Sequence, residues 1–449
     1  FSYSRTDGDL DGAAVAQTGG PAASGFGTSD IRTLDDTAVL NWRHEGAGNP
    51  WFDLDVTLSY SDTEVRKRDF SLGMMCAPGI FQVLCDNDAA YETVTLKAEN
   101  TMEFGGGDWE NFLTFGAQLY GQERTASSSL GPLAFHPEGT DRRVALYAQG
   151  EFIWNDRLTL IPGLRLEKAF QDPGAAAEAA GARATEELAV SPKLAVMYEL
   201  NDAWSVFGSL ARTERLPTLD ELYSSEGEVQ RGPTFFGPRT PSLNLDPEIA
   251  TTVEIGLAYE GFDMLSDGDS LQVKATAFNN SIRDLIATTP RATGPTPGQA
   301  AVPYFSNIDS ARIWGLEVEG AYDAEGWFAN AAYSLVRSED ESTGETLTDT
   351  PADTLSLTLG TKLPERGLRL GWRGNWANSI TTASAETSGD SYVTHDLFLD
   401  WTPDSGPLEG MTVNVAVENV TDETYRPNLQ LDNAPGRTFK IALTKEFDW

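Results

Sequence analysis

The stretch Phe52–Ser61, FDLDVTLSYS, decides the fold. Phe52, Leu54, Val56, Leu58 and Tyr60 fall on one face of an extended chain, and Asp53, Asp55, Thr57, Ser59 and Ser61 on the other. Strict alternation over this length is the mark of a strand with one apolar and one polar side. The pattern returns along the whole chain. Leu355, Leu357 and Leu359 alternate with Ser356, Thr358 and Gly360, and Val413, Val415 and Val417 with Thr412, Asn414 and Ala416. Near the end Phe439, Ile441, Leu443, Phe447 and Trp449 share a face that Lys445 interrupts, a position from which its ammonium can snorkel to water.

The connections alternate in length. Short polar turns, Gly105–Asp108 (GGGD), Trp154–Asp156 (WND), Asn201–Asp202 and Pro364–Gly367 (PERG), are separated by long Gly-, Pro-, Ser- and Thr-rich segments. These are Arg5–Ser29, Arg68–Asp88, Gln122–Thr140, Leu216–Pro247 and Ala287–Phe305. Short turns at one rim and long loops at the other predict an all-β fold, a transmembrane antiparallel β-barrel. Counting back from Trp449 gives about 18 strands of roughly 9–15 residues. Trp109, Trp154, Trp204, Trp401 and Trp449 stand near short-turn ends, as an interfacial aromatic girdle would. No run nears the roughly 20 apolar residues of a spanning helix, because a barrel hides its apolar surface at every second position.

The 449 residues carry 32 Lys and Arg against 68 Asp and Glu, a formal charge of −36. That balance argues against nucleic acid, which needs a basic stripe. Much of the acid lies in loops such as Glu339–Glu345 (EDESTGE), read as solvated charge. Cys76 and Cys85, in CAPGIFQVLC, have no nearby His to complete a zinc set, and predict one local disulfide in an oxidising compartment. Met74 and Met75 are expected to pack inside that loop. No nucleophile–base pair, phosphate loop or metal motif is present, so neither an enzyme nor a resident metal or cofactor is expected.

Several motifs together resemble the TonB-dependent outer-membrane receptors. Ala211–Tyr223, ARTERLPTLDELY, and Leu243–Leu257, LNLDPEIATTVEIGL, look like that family's two boxes. Arg215 and Pro217 match the first; Asn244, Leu245, Pro247 and Glu248 match the second, whose usual Asn-Pro start is here Ser242-Leu243. Asn307, Gly315 and Glu317 resemble the Asn-x₇-Gly-x-Glu strand, and VENVTDETY (Val417–Tyr425) with PGRTF (Pro435–Phe439) the closing hairpin. The resemblance implies a barrel of about 22 strands around a plug, so residues 1–449 are expected to be a C-terminal barrel portion with the plug and first strands upstream. It further implies a Gram-negative outer membrane with its lipid as surroundings, coupling to the TonB complex through the upstream region, and active uptake of a scarce external ligand.

Asp353–Ala377 and Thr394–Pro403 resemble the haem and haemoglobin receptor branch. Haem or a haemoprotein is therefore the first expected cargo and a ferric siderophore the second. A passive 18-stranded porin and an adhesin are the rivals from other classes. That branch generally carries a haem-ligating His between its boxes, and Ser224–Ser242 holds none. The ligand-contact candidates are His136, Tyr223, Phe235, Phe236, Arg239 and Tyr304, since aromatic rings and Arg suit a flat conjugated ligand with carboxylates. His44 and His395 are expected to be surface and structural residues, and Arg369 and Arg373 to face the interior.

Overall fold

The computed structural model describes residues 1–15, 27–46, 48–385, 387–403, 406–430 and 432–445. Among these, eighteen long strands of 8 to 20 residues belong to one 19-stranded antiparallel sheet, whose remaining member is the two-residue rung Gly131–Pro132. No helix is long and apolar enough to cross a membrane. Phe447 and Trp449 lie outside the described residues.

The chain divides into two units. In the first, Ser2–Ala14, Thr28–Glu45, Asp53–Arg68, Asn87–Gly106, Trp109–Ser128, Gly139–Trp154 and Leu158–Pro173 pair in chain order, each antiparallel to the next. Register turns the alternation into a surface. Leu40, Leu58, Leu96, Leu119 and Val144 stand side by side across five strands, all exposed. One residue along, Asn41, Thr57, Lys97 and Gln118 form the matching row of the opposite face. A contiguous apolar face of this extent is unstable in water, whereas hydrocarbon accepts it without loss, and the ladder already satisfies the backbone polar groups.

In the second unit Trp327–Asp340, Thr354–Leu363, Leu368–Ala377, Tyr392–Trp401, Met411–Glu418 and Thr438–Lys445 continue the same pairing. Leu359, Trp372, Leu397, Val417 and Phe439 make its apolar row. Thr358, Arg373 and Asp396 stand on the other side, as expected for Arg373. The PERG turn closes with Gly367 at φ 61°, a left-handed position where a side chain would collide with the Thr402 carbonyl. Aromatic pairs mark the short-turn rim: Trp109 with Trp154 at 6.4 Å, Trp204 with Tyr259 at 4.7 Å, and Tyr322 with Trp327 at 4.4 Å.

Two expected loops are shorter than the sequence suggests. Strands persist to Ala14 and from Thr28, and again to Ser128 and from Gly139, and several exceed 15 residues. Beyond the apolar band both faces are wet, so alternation fades. Cross-strand charge pairs such as Arg32–Asp7 at 2.7 Å take over.

Cys76 and Cys85 form a disulfide with their Cα atoms 4.9 Å apart, between the short turns Gly73–Met75 and Gly79–Leu84. Phe70, Val83 and Leu84 bury against Val15, Leu133 and Phe135, giving the long-loop side a core of its own. Neither Met74 nor Met75 packs there as expected; the turn leaves both exposed. Replacing both cysteines by serine is expected to lower the stability of this lobe by about 2.5 kcal/mol, the chain-entropy value for a loop of roughly ten residues. Hydrogen exchange checks it: residues 69–86 should lose protection while Asp53–Arg68 and Asn87–Gly106 keep theirs. Equal loss in those strands would contradict a local role.

Candidate functional site

The long connections 216–247 and 289–304 assemble on a short helix, Leu219–Tyr223. Pro217 cannot continue the preceding strand's ladder, and Thr218 caps the helix. The Thr218 hydroxyl accepts from the Glu221 amide at 3.3 Å, and the Glu221 carboxylate accepts from the Thr218 amide at 2.8 Å. Leu219, Leu222 and Tyr223, spaced to share one helical face, bury against Leu245, Tyr304 and Phe305.

The paired-box residues converge beneath this helix. Arg215 holds Glu221 through two bonds of 2.9 Å and Glu248 through its Nε. Glu248 in turn accepts the Ile286 amide at 2.8 Å. The Pro217 carbonyl accepts from Gln171 at 2.8 Å, and Leu245 is buried. Asn307 accepts from the Asp246 amide at 2.9 Å and donates to the carbonyls of Asp246 (2.9 Å) and Asp284 (2.6 Å). Asn244 and Pro247 sit between these clamps, Asn244 exposed and Pro247 partly so. The closing-hairpin motif is built alike: Asn419 exchanges two 2.8 Å bonds with the Glu423 backbone, and Asp422 accepts the Arg437 amide at 2.8 Å. These residues fix loop bases.

Three ligand candidates are placed differently from expectation. Tyr223 is 0% exposed, its hydroxyl donates to the Gln171 carbonyl at 2.8 Å, and burial raises its pKa, so it offers no tyrosinate. Tyr304 is 1% exposed, stacked on Phe305 and covered by the Arg239 guanidinium at 4.7 Å. His136 is not a solvated loop residue. Its Nε2 lies 2.6 Å from the Tyr91 hydroxyl and its Nδ1 3.2 Å from Asp220, which also accepts from Arg124 at 3.0 Å. Packing buries Tyr223 and Tyr304, and hydrogen bonding engages His136.

Arg239 donates to the Thr289 carbonyl at 3.0 Å and faces Glu226, which is buried and also ion-paired with Arg291. Phe235 and Phe236 lie on the strand Thr234–Phe236, paired with Val229–Arg231 and Thr293–Gly294, and both rings are partly exposed. As successive residues of one strand, the two rings point to opposite faces. Sequence reasoning missed Tyr91, Arg124, Asp220, Glu226 and Arg291; no local pattern signals them, as Arg124 and Asp220 are 96 residues apart. His395 stacks on Trp372 at 5.7 Å, and His44 packs against Trp42 and Phe52.

The polar face of the strands carries a groove of about 730 Å³ lined by Lys97, Gln118, Tyr147, Arg165, Glu167 and Arg212, among others. Its charges are paired, with Lys97 and Glu99 at 2.8 Å and Tyr147 donating to Glu99 at 2.8 Å. No group of three His, Cys, Asp or Glu at metal-binding distance occurs among the described residues.

Residues 1–420 match the family described as TonB dependent receptor-like, beta-barrel. The hemin receptor of Yersinia pestis is 24% identical over 417 residues, covering 91% of this chain and 57% of the relative. The TonB-dependent heme receptor A of Haemophilus influenzae is 24% identical over 472 residues, covering 92% and 60%. The chain thus spans about three-fifths of these relatives. Among solved structures, the Serratia marcescens hemophore receptor HasR, in complex with its hemophore HasA and heme, superposes with a TM-score of 0.70 at 18% identity, covering 92% of this chain and 66% of that one. The FrpB iron transporter of Neisseria meningitidis gives 0.71 at 15%, covering 99% and 68%. The fold is the same barrel, and the chain belongs to the TonB-dependent receptor β-barrel family, whose members are transport receptors rather than enzymes.

Proposed function

We propose that this barrel serves a Gram-negative outer-membrane receptor that imports haem, free or delivered by a haemoprotein. The long loops face outward, and energy comes from the TonB complex through a plug contributed by the rest of the receptor. The observation that carries the reading is the partnership of family and cargo among the relatives: two hemin receptors and the heme receptors match along roughly nine-tenths of the chain. The loop lobe supports it with the partly exposed Phe235 and Phe236, which alternate to opposite faces of the strand Thr234–Phe236, so a flat ligand meets one of the two rings. The Glu226–Arg239–Arg291 cluster, with Arg239 bonded to the Thr289 carbonyl, ties the adjoining loops together.

A ferric siderophore is the second reading, favoured by one feature. Tyr223 and Tyr304 are buried and His136 is engaged, so none of these three candidates stands ready as an axial ligand, and iron already coordinated by a siderophore needs none. A haem titration of the complete receptor, followed by the Soret band, separates the two. The expected result is saturable binding that weakens about fivefold in one of the single variants Phe235→Ala and Phe236→Ala and little in the other, since one stacked ring contributes roughly 0.5–1.5 kcal/mol. No saturable Soret change in the parent receptor removes haem as cargo.

A further inference from the structure

We propose that the turn 263–269, DMLSDGD, is a lipid anchor whose Met264 and Leu265 enter the membrane leaflet bordering the short-turn rim. The inference rests on the reading that the strands span a membrane with their short turns at one surface. The turn joins Glu248–Phe262 to Ser270–Thr288 on that rim. Met264 is 48% exposed and Leu265 77%.

The backbone beneath them is fixed. The buried Asp269 carboxylate accepts the amides of Met264 (2.6 Å), Leu265 (2.8 Å) and Ser266 (2.7 Å) and the Tyr322 hydroxyl (2.6 Å). Asp263, at φ 55°, accepts the Gly268 amide at 2.6 Å. Two of the turn's three carboxylates are thus consumed by its own fold, leaving Asp267. Ordering a chain in order to display apolar side chains has a conformational cost, which a water-facing turn would recover nothing for.

What covers these side chains follows from their neighbours. Tyr259, whose hydroxyl donates to the Met264 sulfur at 3.0 Å, shares its face with the exposed Val253, Ile255 and Leu257. It packs on Trp204. Tyr322, bonded to Asp269, shares the face of the exposed Leu316 and packs on Trp327. Aromatics that mark the interfacial level of the apolar band therefore flank the turn on both sides, and Met264 and Leu265 continue that band. The occupant they fit is lipid at the headgroup–acyl boundary.

A nitroxide at Leu265→Cys in the complete receptor, in vesicles of phosphatidylethanolamine and phosphatidylglycerol, tests this. Among the described residues no free cysteine competes for the label. Collision with oxygen, which concentrates in lipid, is expected to exceed collision with a water-soluble nickel chelate several-fold at position 265. At Glu365→Cys, on another turn of the same rim, the order should reverse, and at Leu397→Cys, within the apolar band, oxygen should dominate. Nickel dominance at 265 with oxygen dominance at 397 overturns the anchor, whether the turn faces water or a periplasmic protein. Nickel dominance at 397 overturns the membrane reading itself, and the anchor with it.

Discussion

Asp220→Asn is expected to make residues 129–138 and the helix Leu219–Tyr223 exchange their amide hydrogens about a hundredfold faster, corresponding to roughly 3 kcal/mol. The Arg124 side chain is 6% exposed and, among the described residues, its charge is answered by Asp220, its other bond running to the Pro137 carbonyl at 2.7 Å. Removing the carboxylate leaves a buried guanidinium without a counter-charge, which typically costs about 3–5 kcal/mol. Asparagine keeps the shape and one acceptor, so the lower end applies. Burial alone would raise the Asp220 pKa, but the His136 hydrogen bond and the Arg124 charge hold it below the ordinary carboxylate value. A depressed folded value means that the stabilisation is complete above the unfolded pKa and is lost as pH falls through the folded one. The parent lobe should therefore keep its protection at neutral pH and lose it only in acid, below the usual carboxylate range. The asparagine variant should lack that transition. Unchanged exchange in the variant at neutral pH would show that Arg124 finds its stabilisation elsewhere.

Arg215→Ala should release the loop 216–247 from its base and weaken ligand binding while the strands stay folded. The substitution leaves Glu221 and Glu248 facing each other, both largely buried, with one capping the helix and the other holding Ile286. Breaking a buried pair costs about 3–5 kcal/mol, and the partial exposure of Arg215 brings the expectation to roughly 3 kcal/mol. Arg215→Lys should recover only part, because one ammonium cannot reproduce two parallel bonds to Glu221 and a third to Glu248. Protease cleavage within 224–242, compared with the strand content by circular dichroism, reads the effect. Loss of strand content together with cleavage would mean that Arg215 supports the barrel rather than the loop.

Why the barrel was legible and the loops were not comes down to period. A membrane strand must place apolar residues at every second position, so Val413, Val415 and Val417 reveal their strand without any partner being known. The cysteines of CAPGIFQVLC are close enough in sequence to show their pairing in the same way. The loop lobe has no such rule. His136 looks free in LAFHPEG because Tyr91 and Asp220 reach it from distant segments, Tyr91 from 45 residues away. Tyr223 looks like a ligand until Leu219–Tyr223 is known to be a helix, which turns it inward with Leu222. The strand extensions at Asp7, Arg32 and Arg124 escaped notice because water on both faces removes the alternation that signals a strand.

Energised import of an external iron source is read out by growth. The complete receptor is expressed in a Gram-negative strain that lacks haem uptake of its own, with haem as the sole iron source and the TonB complex present or absent. Growth is expected only when both the receptor and TonB are present. Growth on haem that persists without TonB would contradict it and identify a passive pore.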